Sequence, residues 1–300
     1  MMKVAMVSLS SCLGCQMVFL DLEDYLYSFI SENQVCYAPF LVDVRSFPEV
    51  ELTLVEGTVR NGDHFRRARE IREKSEHVVA MGTCAVYGGV QGQANRFPRA
   101  ELMRRRFGKE AGFEDEPQAV RRILPLDSYI AVDAYLPGCP PPVGLLRSFL
   151  ELALSGNLPT REASTVCSQC RVSSPPLPQP GPRRVTEQAP LAGKCLLEQG
   201  YLCMGPLTRD GCGAECPSRF GVPCTGCRGP SQAMLVSPSS DPKGETVRRL
   251  SRSTAKRPGE VESKIADPPH SFFMHCLAEP TLRRRRPEGT SPFIFREGER

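Results

Sequence analysis

Apolar and polar residues alternate in blocks along the first 160 residues. Short, continuous apolar runs are typical of strands buried on both faces, and five of them occur, at 3–9, 38–44, 51–57, 77–89 and 129–142. Segments with apolar residues at helical spacing lie between them, at 18–30, 62–76 and 143–156. Strand–helix alternation of this kind predicts an α/β domain over 1–160, with a parallel sheet covered on both faces.

The pattern weakens after residue 160. The Pro-rich stretch 172–185 excludes a regular element, and 195–230 has little apolar periodicity but many Cys and Gly residues. A region with so little core needs metals to hold it together, so we predict a small, irregular metal-bearing region over 161–230. Ser, Pro, Arg and Lys dominate from about residue 236, and we predict a disordered tail over 231–300.

The charge distribution argues against a nucleic-acid partner. The chain has a net charge of +4, and residues 231–300 alone contain 13 Lys and Arg against 9 Asp and Glu. The rest of the chain is therefore neutral, whereas a nucleic-acid face requires local clusters of positive charge. The run "RRRR" at 283–286 is the one strong cluster, and in such a tail a solvated segment is the favoured interpretation.

The apolar runs also bear on location. No stretch approaches the roughly 20 apolar residues that a membrane helix needs. The N-terminal "MMKVAMVSLSSC" leads into a polar turn rather than a small-residue cleavage site, and it has no twin arginines. We therefore predict a cytoplasmic protein with no membrane association.

Fourteen cysteines are many for a cytoplasmic protein, in which structural disulfides are rare, so metal ligation is the leading explanation. Cys12 and Cys15 follow the first predicted strand, Cys84 follows "VVAMGT", and Cys139 follows "AVDAYLPG". These loops converge on one edge of a parallel sheet, where four thiolates suit a [4Fe–4S] cluster or a structural zinc. The weaker alternative is a Cys12/Cys15 redox pair, with Cys84 and Cys139 as buried apolar residues.

The second half of the chain adds enough cysteines for two more four-thiolate sites. Zinc and iron–sulfur clusters satisfy this count equally well, and the spacing does not separate them. The residues are Cys167, Cys170, Cys195, Cys203, Cys212, Cys216, Cys224 and Cys227. Cys36 and Cys276 remain, and we interpret both as incidental thiols.

Other polar residues add little chemistry. His64 and His77 flank a polar helix and are interpreted as surface residues rather than ligands. The glycines of "YGGVQG" at 87–92 lack the spacing of a nucleotide-binding loop, so a flavin or dinucleotide site is not expected. No acid–base pair or nucleophile triad stands out, which argues against a catalytic residue in this chain.

The combined pattern "CLGC … EG … GTCAVYGG … LPGCPPP" resembles the small subunit of nickel–iron hydrogenases. It is more distantly similar to the cluster-bearing subunit of respiratory complex I, which typically opens its site with adjacent cysteines rather than C-x-x-C. The later segment 194–227 resembles more closely the coenzyme F420-non-reducing (methyl viologen-reducing) hydrogenase small subunit. The resemblance covers residues 3–170 and 194–230.

This resemblance implies a flavodoxin-like domain over 1–160 and three [4Fe–4S] clusters. The proximal cluster would be bound by Cys12, Cys15, Cys84 and Cys139. A second would be bound by Cys167, Cys170, Cys195 and Cys203, and a third by Cys212, Cys216, Cys224 and Cys227. Glu56 matches the family's Glu–Gly pair, which implies a proton relay or an interface contact, although a solvated or N-cap carboxylate is an equal alternative.

The implied function is that of the electron-transfer subunit of a soluble NiFe hydrogenase. The large partner subunit would hold the nickel–iron centre and split hydrogen, and this chain would carry electrons without breaking bonds. The implied acceptor is an iron–sulfur adaptor subunit with a heterodisulfide reductase complex, as in methanogenesis. Two alternatives stay open: a complex I-like quinone-reducing subunit, and a non-catalytic interaction module stabilised by three zinc ions.

Overall fold

A computed structural model of the chain describes seven stretches of residues, which are 1–108, 119–158, 164–174, 181–236, 242–254, 256–265 and 273–278. They form two compact units. The first unit contains the described residues of 1–160 together with 275–278, and the second contains those of 161–274.

The first unit is built on a five-stranded, fully parallel sheet. Its strands are β1 Lys3–Ser8, β2 Gln34–Tyr37, β3 Val50–Glu56, β4 Ser75–Met81 and β5 Ala134–Leu136. The strand order β2-β1-β3-β4-β5 is that of the flavodoxin-like fold. The prediction of a flavodoxin-like parallel sheet is confirmed.

In the described part of the first unit, six helices accompany this sheet. They are α1 Gly14–Leu20, α2 Asp24–Glu32, α3 Gly62–Lys74, α4 Gly82–Tyr87, α5 Arg99–Phe107 and α6 Val143–Leu154, with 3-10 turns at Val90–Arg96 and Leu126–Ser128. The side chain of Asn61 accepts the His64 N–H and so caps α3. In α6 the apolar stripe that includes Leu146 and Phe149 is buried in the core.

The sheet is buried on both faces. Successive residues of β4 from Val78 to Met81 point to alternate sides, and all of them are fully buried. Such burial explains why the central strands appear in the sequence as continuous apolar runs rather than alternating ones.

Four predicted elements differ from the structure. The strand predicted at 38–44 is wrong, because β2 ends at Tyr37 and the chain then turns, with Leu41 and Val42 N–H bonded to the Ala38 carbonyl. Pro39 has no N–H to extend the ladder. The helix predicted at 18–30 is divided into α1 and α2. Of 77–89, predicted as a strand that runs into a Gly-rich turn, the strand ends at Met81 and α4 follows it, and the strand predicted at 129–142 is limited to β5.

The second unit consists mostly of loops. Its helices are α7 Val166–Gln169, α8 Glu215–Ser218, α9 Gln232–Val236, α10 Pro242–Thr254 and α11 Pro258–Ser263, with a 3-10 turn at Gly205–Leu207. In the described part of this unit, β-pairing is limited to isolated bridges, such as those of Thr165 with Arg209 and Arg183 with Tyr201.

Part of the predicted disordered tail is helical in the structure. Val247, Leu250 and Ser251 are buried on one face of α10, and Val261 is buried in α11. The Ser and Thr residues on this face hide its helical period from an apolar pattern search. Of the predicted tail, residues 237–241, 255, 266–272 and 279–300 lie outside the described residues. Across the described residues, no helix combines the length and apolarity that crossing a bilayer requires.

Candidate functional site

The carboxyl ends of β1, β4 and β5 bring four cysteines to one edge of the sheet. Burial and the charges of Glu56, Cys84 and Cys139 raise the pKa of the Cys15 thiol. Burial and the charges of Cys139 and Cys12 raise the pKa of the Cys84 thiol to about 12. Because charge interactions weaken with distance, these mutual effects mean that the four sulfurs lie close together. The structure thus gathers the four cysteines predicted for the proximal cluster.

Two glycines let the backbone approach these sulfurs. A Cβ on Gly82 would lie 2.3 Å from Cys15 Sγ, and one on Gly89 would lie 2.4 Å from Cys84 Sγ. Both residues also have positive φ, +80° and +56°, which glycine adopts without strain. Any side chain at either position would displace a sulfur, so the cradle depends on glycine.

Hydrogen bonds join the loops that carry the four cysteines. Thr83 N donates to the Gly138 carbonyl over 2.8 Å, and Gly138 N donates to Thr83 Oγ1 over 3.1 Å. Gln91 Nε2 donates to the Ser10 carbonyl over 2.7 Å, and Thr58 Oγ1 donates to Gln91 Oε1 over 2.8 Å. These bonds orient the loops within the protein itself, and sequence reasoning missed both Thr83 and Gln91.

Glu56 lies inside this site rather than in solvent. Its exposed fraction is 1%, and Ser11 Oγ donates to Glu56 Oε1 over 3.2 Å. Ser11 Oγ is in turn 2.7 Å from Ser8 Oγ. Burial raises the pKa of Glu56, although hydrogen bonds from Ser11, Cys15 and Ser8 oppose the shift. The solvated alternative is wrong, and the two serines are residues that sequence reasoning missed.

The second unit contains a set of four cysteines, of which Cys167 and Cys170 belong to α7 and its C-cap and Cys195 and Cys203 lie in loops. Burial and the charges of Cys203, Cys170 and Cys195 raise the pKa of the Cys167 thiol to about 12. A Cβ on Gly205 would lie 3.3 Å from Cys167 Sγ and 3.6 Å from Cys203 Sγ. These four are the cysteines predicted to share the second cluster.

The remaining four cysteines are less cleanly separated. Burial and the charges of Cys227 and Cys212 raise the pKa of Cys216. Burial and the charges of Cys203 and Cys227 raise the pKa of Cys224, which thus interacts with both sets. Its N–H donates to Cys203 Sγ over 3.4 Å, while its own thiol donates to Thr208 Oγ1 over 3.7 Å. Cys224 therefore lies between the two sets.

The remaining two thiols and the two histidines weighed in the sequence all belong to the first unit. Cys36 is half-buried on β2. Burial and the charge of Glu51 raise the pKa of its thiol, against the charge of Lys3, which lowers it. Cys276 is fully buried. His64 Nδ1 accepts the Arg60 N–H, and His77 Nε2 is 3.9 Å from Glu76 Oε1.

The chemistry of the donor sets can be compared with that of iron–sulfur clusters. Four thiolates are the ligands of a [4Fe–4S] cluster, with one thiolate at each iron. The cysteines therefore fit the iron–sulfur clusters that the resemblance implies, although four thiolates also suit a structural zinc.

Comparison with known proteins agrees with this chemistry. Residues 12–151 match the family described as "NADH ubiquinone oxidoreductase, 20 Kd subunit". The chain is 38% identical to a subunit of the vhu F420-non-reducing hydrogenase of Methanocaldococcus jannaschii, over 78% of this chain and 83% of that protein. It is 32% identical to the iron-sulfur subunit of the F420-non-reducing hydrogenase of Archaeoglobus profundus, over 76% and 82% of the two chains.

A solved structure shows the same fold. A chain of the [NiFeSe]-hydrogenase of Dm. baculatum superimposes with a TM-score of 0.50 at 17% identity, covering 79% of this chain and 97% of that one. At this identity the similarity is evidence for the fold alone. The identity and coverage of the archaeal relatives assign the family, and the chain belongs to the small subunits of NiFe hydrogenases, within the group of the F420-non-reducing hydrogenases.

Proposed function

We propose that the chain relays electrons between the nickel–iron site of a large hydrogenase subunit and an acceptor, through three [4Fe–4S] clusters. The observation that supports it most strongly is the gathering of Cys12, Cys15, Cys84 and Cys139 at the end of a preformed sheet. Thiolates in sets of four are the ligands that such clusters require.

The ligand sets are those that the resemblance implied. The proximal cluster takes Cys12, Cys15, Cys84 and Cys139, the second takes Cys167, Cys170, Cys195 and Cys203, and the third takes Cys212, Cys216, Cys224 and Cys227. When bound, each cluster accepts and releases one electron. The chain's own residues bind the clusters, orient them through the loop hydrogen bonds, and exclude water from buried sulfurs such as Cys203.

The proximal edge also suits a partner surface. Leu13 and Met17, next to the C-x-x-C turn, have exposed fractions of 51% and 55%. Exposed apolar residues around a functional site are typical of a protein interface. The hydrogenase large subunit therefore packs against this edge and brings its nickel–iron site near the proximal cluster.

The acceptor side is proposed from family resemblance. Electrons leave through the clusters of the second unit toward an iron–sulfur adaptor subunit and a heterodisulfide reductase complex, as in methanogenesis. Fourteen cysteines suit a reducing compartment, where structural disulfides are rare, and we place the chain in the cytoplasm.

Anaerobic purification with metal analysis tests the proposal. The full chain should be brown and contain about 12 iron and about 12 sulfide per chain, as three four-iron clusters require. Cys84→Ser should remove the proximal signal in electron paramagnetic resonance and leave the other two. A folded, colourless chain carrying about three zinc ions would replace this proposal with the zinc-stabilised module.

The family that matches residues 12–151 is described by a subunit of NADH ubiquinone oxidoreductase, which favours the complex I-like role as the second candidate function. That role predicts a membrane-bound, quinone-reducing partner, whereas the hydrogenase role predicts a nickel-containing one. Affinity purification of the tagged chain from its native host, followed by nickel analysis, separates the two.

Glu56 is proposed to serve as a proton relay or interface contact beside the proximal cluster, because it is buried and bonded to Ser11. In the assembled enzyme, Glu56→Gln should slow hydrogen oxidation by ~100-fold with unchanged iron content, which is the scale of a lost proton-transfer group. Glu51→Gln changes a carboxylate at the opposite end of β3 and is the matched control. Equal rates in the two variants would contradict the relay, and weaker subunit binding by Glu56→Gln would indicate the interface contact.

A further inference from the structure

A cavity in the second unit joins Cys167 to helix α10. Its volume is about 420 Å³, and its lining includes Cys167, Met234, Glu245, Arg248 and Arg249. Helix α10 belongs to the part of the chain for which sequence analysis proposed no chemistry. Its polar residues nevertheless share a cavity with one of the proposed cluster ligands.

A single carboxylate fixes the two arginines at this cavity. Arg249 Nε donates to Glu245 Oε1 over 2.8 Å, and Arg248 Nη2 is 2.7 Å from Glu245 Oε2. Both pairs are one helical turn apart, as i,i+4 and i,i+3 neighbours. The three side chains carry a net charge of +1, and Glu245 limits where the two guanidinium groups can point.

The charge of Arg249 lies at the same cavity as the proposed ligand. Arg249 and Cys167 both line it, and the guanidinium group is positively charged at neutral pH. A positive charge at this cavity stabilises negative charge that is added at Cys167. A reduced cluster carries one more negative charge than an oxidised one, so the same interaction favours reduction.

We propose that Arg249, positioned by Glu245, raises the reduction potential of the cluster that Cys167 binds. The proposal rests on the proposed function, because it needs a cluster on Cys167, Cys170, Cys195 and Cys203. The electron that arrives stays on the cluster, and Arg249 neither gains nor loses a proton. Arg249 thus acts on electron transfer in the second unit through its charge, without itself carrying an electron or a proton.

Redox titration of the anaerobically purified full chain tests this role. Samples are poised at set potentials with dithionite and mediators and followed by electron paramagnetic resonance, and Cys167→Ser identifies the signal of this cluster. Arg249→Gln should shift the midpoint of that signal to lower potential and leave the other two signals in place. Arg249→Lys, which keeps the charge, should restore the wild-type midpoint.

Arg252→Gln is the matched control, because it removes the same charge from an exposed position of the same helix that is not part of the cavity lining. Its three midpoints should equal those of the wild type. Equal shifts in Arg249→Gln and Arg252→Gln, or no shift in either, would overturn the inference while the clusters remain visible. A wild-type chain without any cluster signal would instead overturn the proposed function.

Discussion

The two units present their cysteines in different ways. In the first, a sheet whose central strands are buried on both faces ends at one edge, where Cys84 lies in α4 directly after β4 and Cys139 lies in the loop after β5. In the second, helices of four residues, α7 and α8, carry Cys167 and Cys216 among loops. The first site is thus shaped by packing that needs no metal, whereas the second depends on bonds between loops and on what the cysteines bind.

The loop contacts of the second unit support this difference. Gln169 Oε1 accepts the N–H groups of both Gly211 and Gly213, and Ser218 Oγ donates to Cys170 Sγ over 3.8 Å. Each of these bonds joins the neighbourhoods of the two cysteine sets. A unit whose loops are joined by single hydrogen bonds has few other contacts that keep it folded when its metal clusters are lost.

Removing the clusters should therefore have the largest effect on the folding of the chain, and the loss of structure should be confined to the second unit. Oxidising and chelating the iron in the full chain should raise amide hydrogen exchange throughout 195–231, because metal-binding free energy is folding free energy in such regions. Amides of β3 and β4 should keep their protection and serve as the internal control. Equal deprotection of the sheet would contradict the difference between the two units.

The next effect sharpens the comparison within the first unit. Gly82→Ala places a methyl carbon 2.3 Å from Cys15 Sγ and should remove about 4 of the 12 iron atoms that the three proposed clusters require. Gly156→Ala is matched to it, because Gly156 has a φ of +78° but nothing within 4 Å of its Cβ. The control should lose only about 1–2 kcal/mol from backbone strain and keep all of its iron. Iron loss in both variants would mean that strain alone disturbs the site.

The difference between the units also explains what the sequence could predict. The sheet and the gathering of Cys12, Cys15, Cys84 and Cys139 followed from apolar runs and from the rule that parallel strands end at one edge. That Glu56 is buried could not be predicted, because its environment is made by Ser8 and Ser11 of a neighbouring strand and loop. A linear pattern contains no such contact.

Prediction was weaker where no sheet sets the geometry. The sharing of Cys224 between two sets arises from its backbone bond to Cys203, which spacing along the chain does not encode. Helix α10 was missed because Thr246, Ser251 and Thr254 complete its buried face. Polar residues on a buried helix face weaken the signal on which an apolar pattern depends.

A smaller effect tests whether the sheet of the first unit is stable by itself. Asp133 Oδ2 accepts bonds from Val78 N and from Arg72 Nη1, both over 2.6 Å. Burial would raise the pKa of Asp133, but these two donors hold it below its usual value. Asp133→Asn should cost about 1–3 kcal/mol of unfolding free energy at pH 7, while Asp127→Asn, at an exposed site, should cost little.

The sign of the pH dependence follows from the lowered pKa. The carboxylate stabilises the folded state above the unfolded pKa near 3.8, and this contribution is lost as the pH falls through the lower folded value. Denaturant titrations of the full chain at pH 7 and near pH 3 should therefore show the gap between wild type and Asp133→Asn closing in acid. If the difference in unfolding free energy were the same at both pH values, Asp133→Asn would destabilise the fold through packing rather than through the lost charge.

The smallest effect concerns a cysteine that neither unit uses for a cluster. Cys36 lies on β2, an edge strand, and the charged groups near it, Lys3 and Glu51, are not thiols. Cys36→Ser should keep about 12 iron per chain and change the unfolding free energy by less than about 1 kcal/mol, whereas Cys195→Ser should lose about 4 iron. Iron analysis of the two variants checks this. Loss of iron from Cys36→Ser would contradict the proposal that Cys12, Cys15, Cys84 and Cys139 are the complete set of cluster ligands in the first unit.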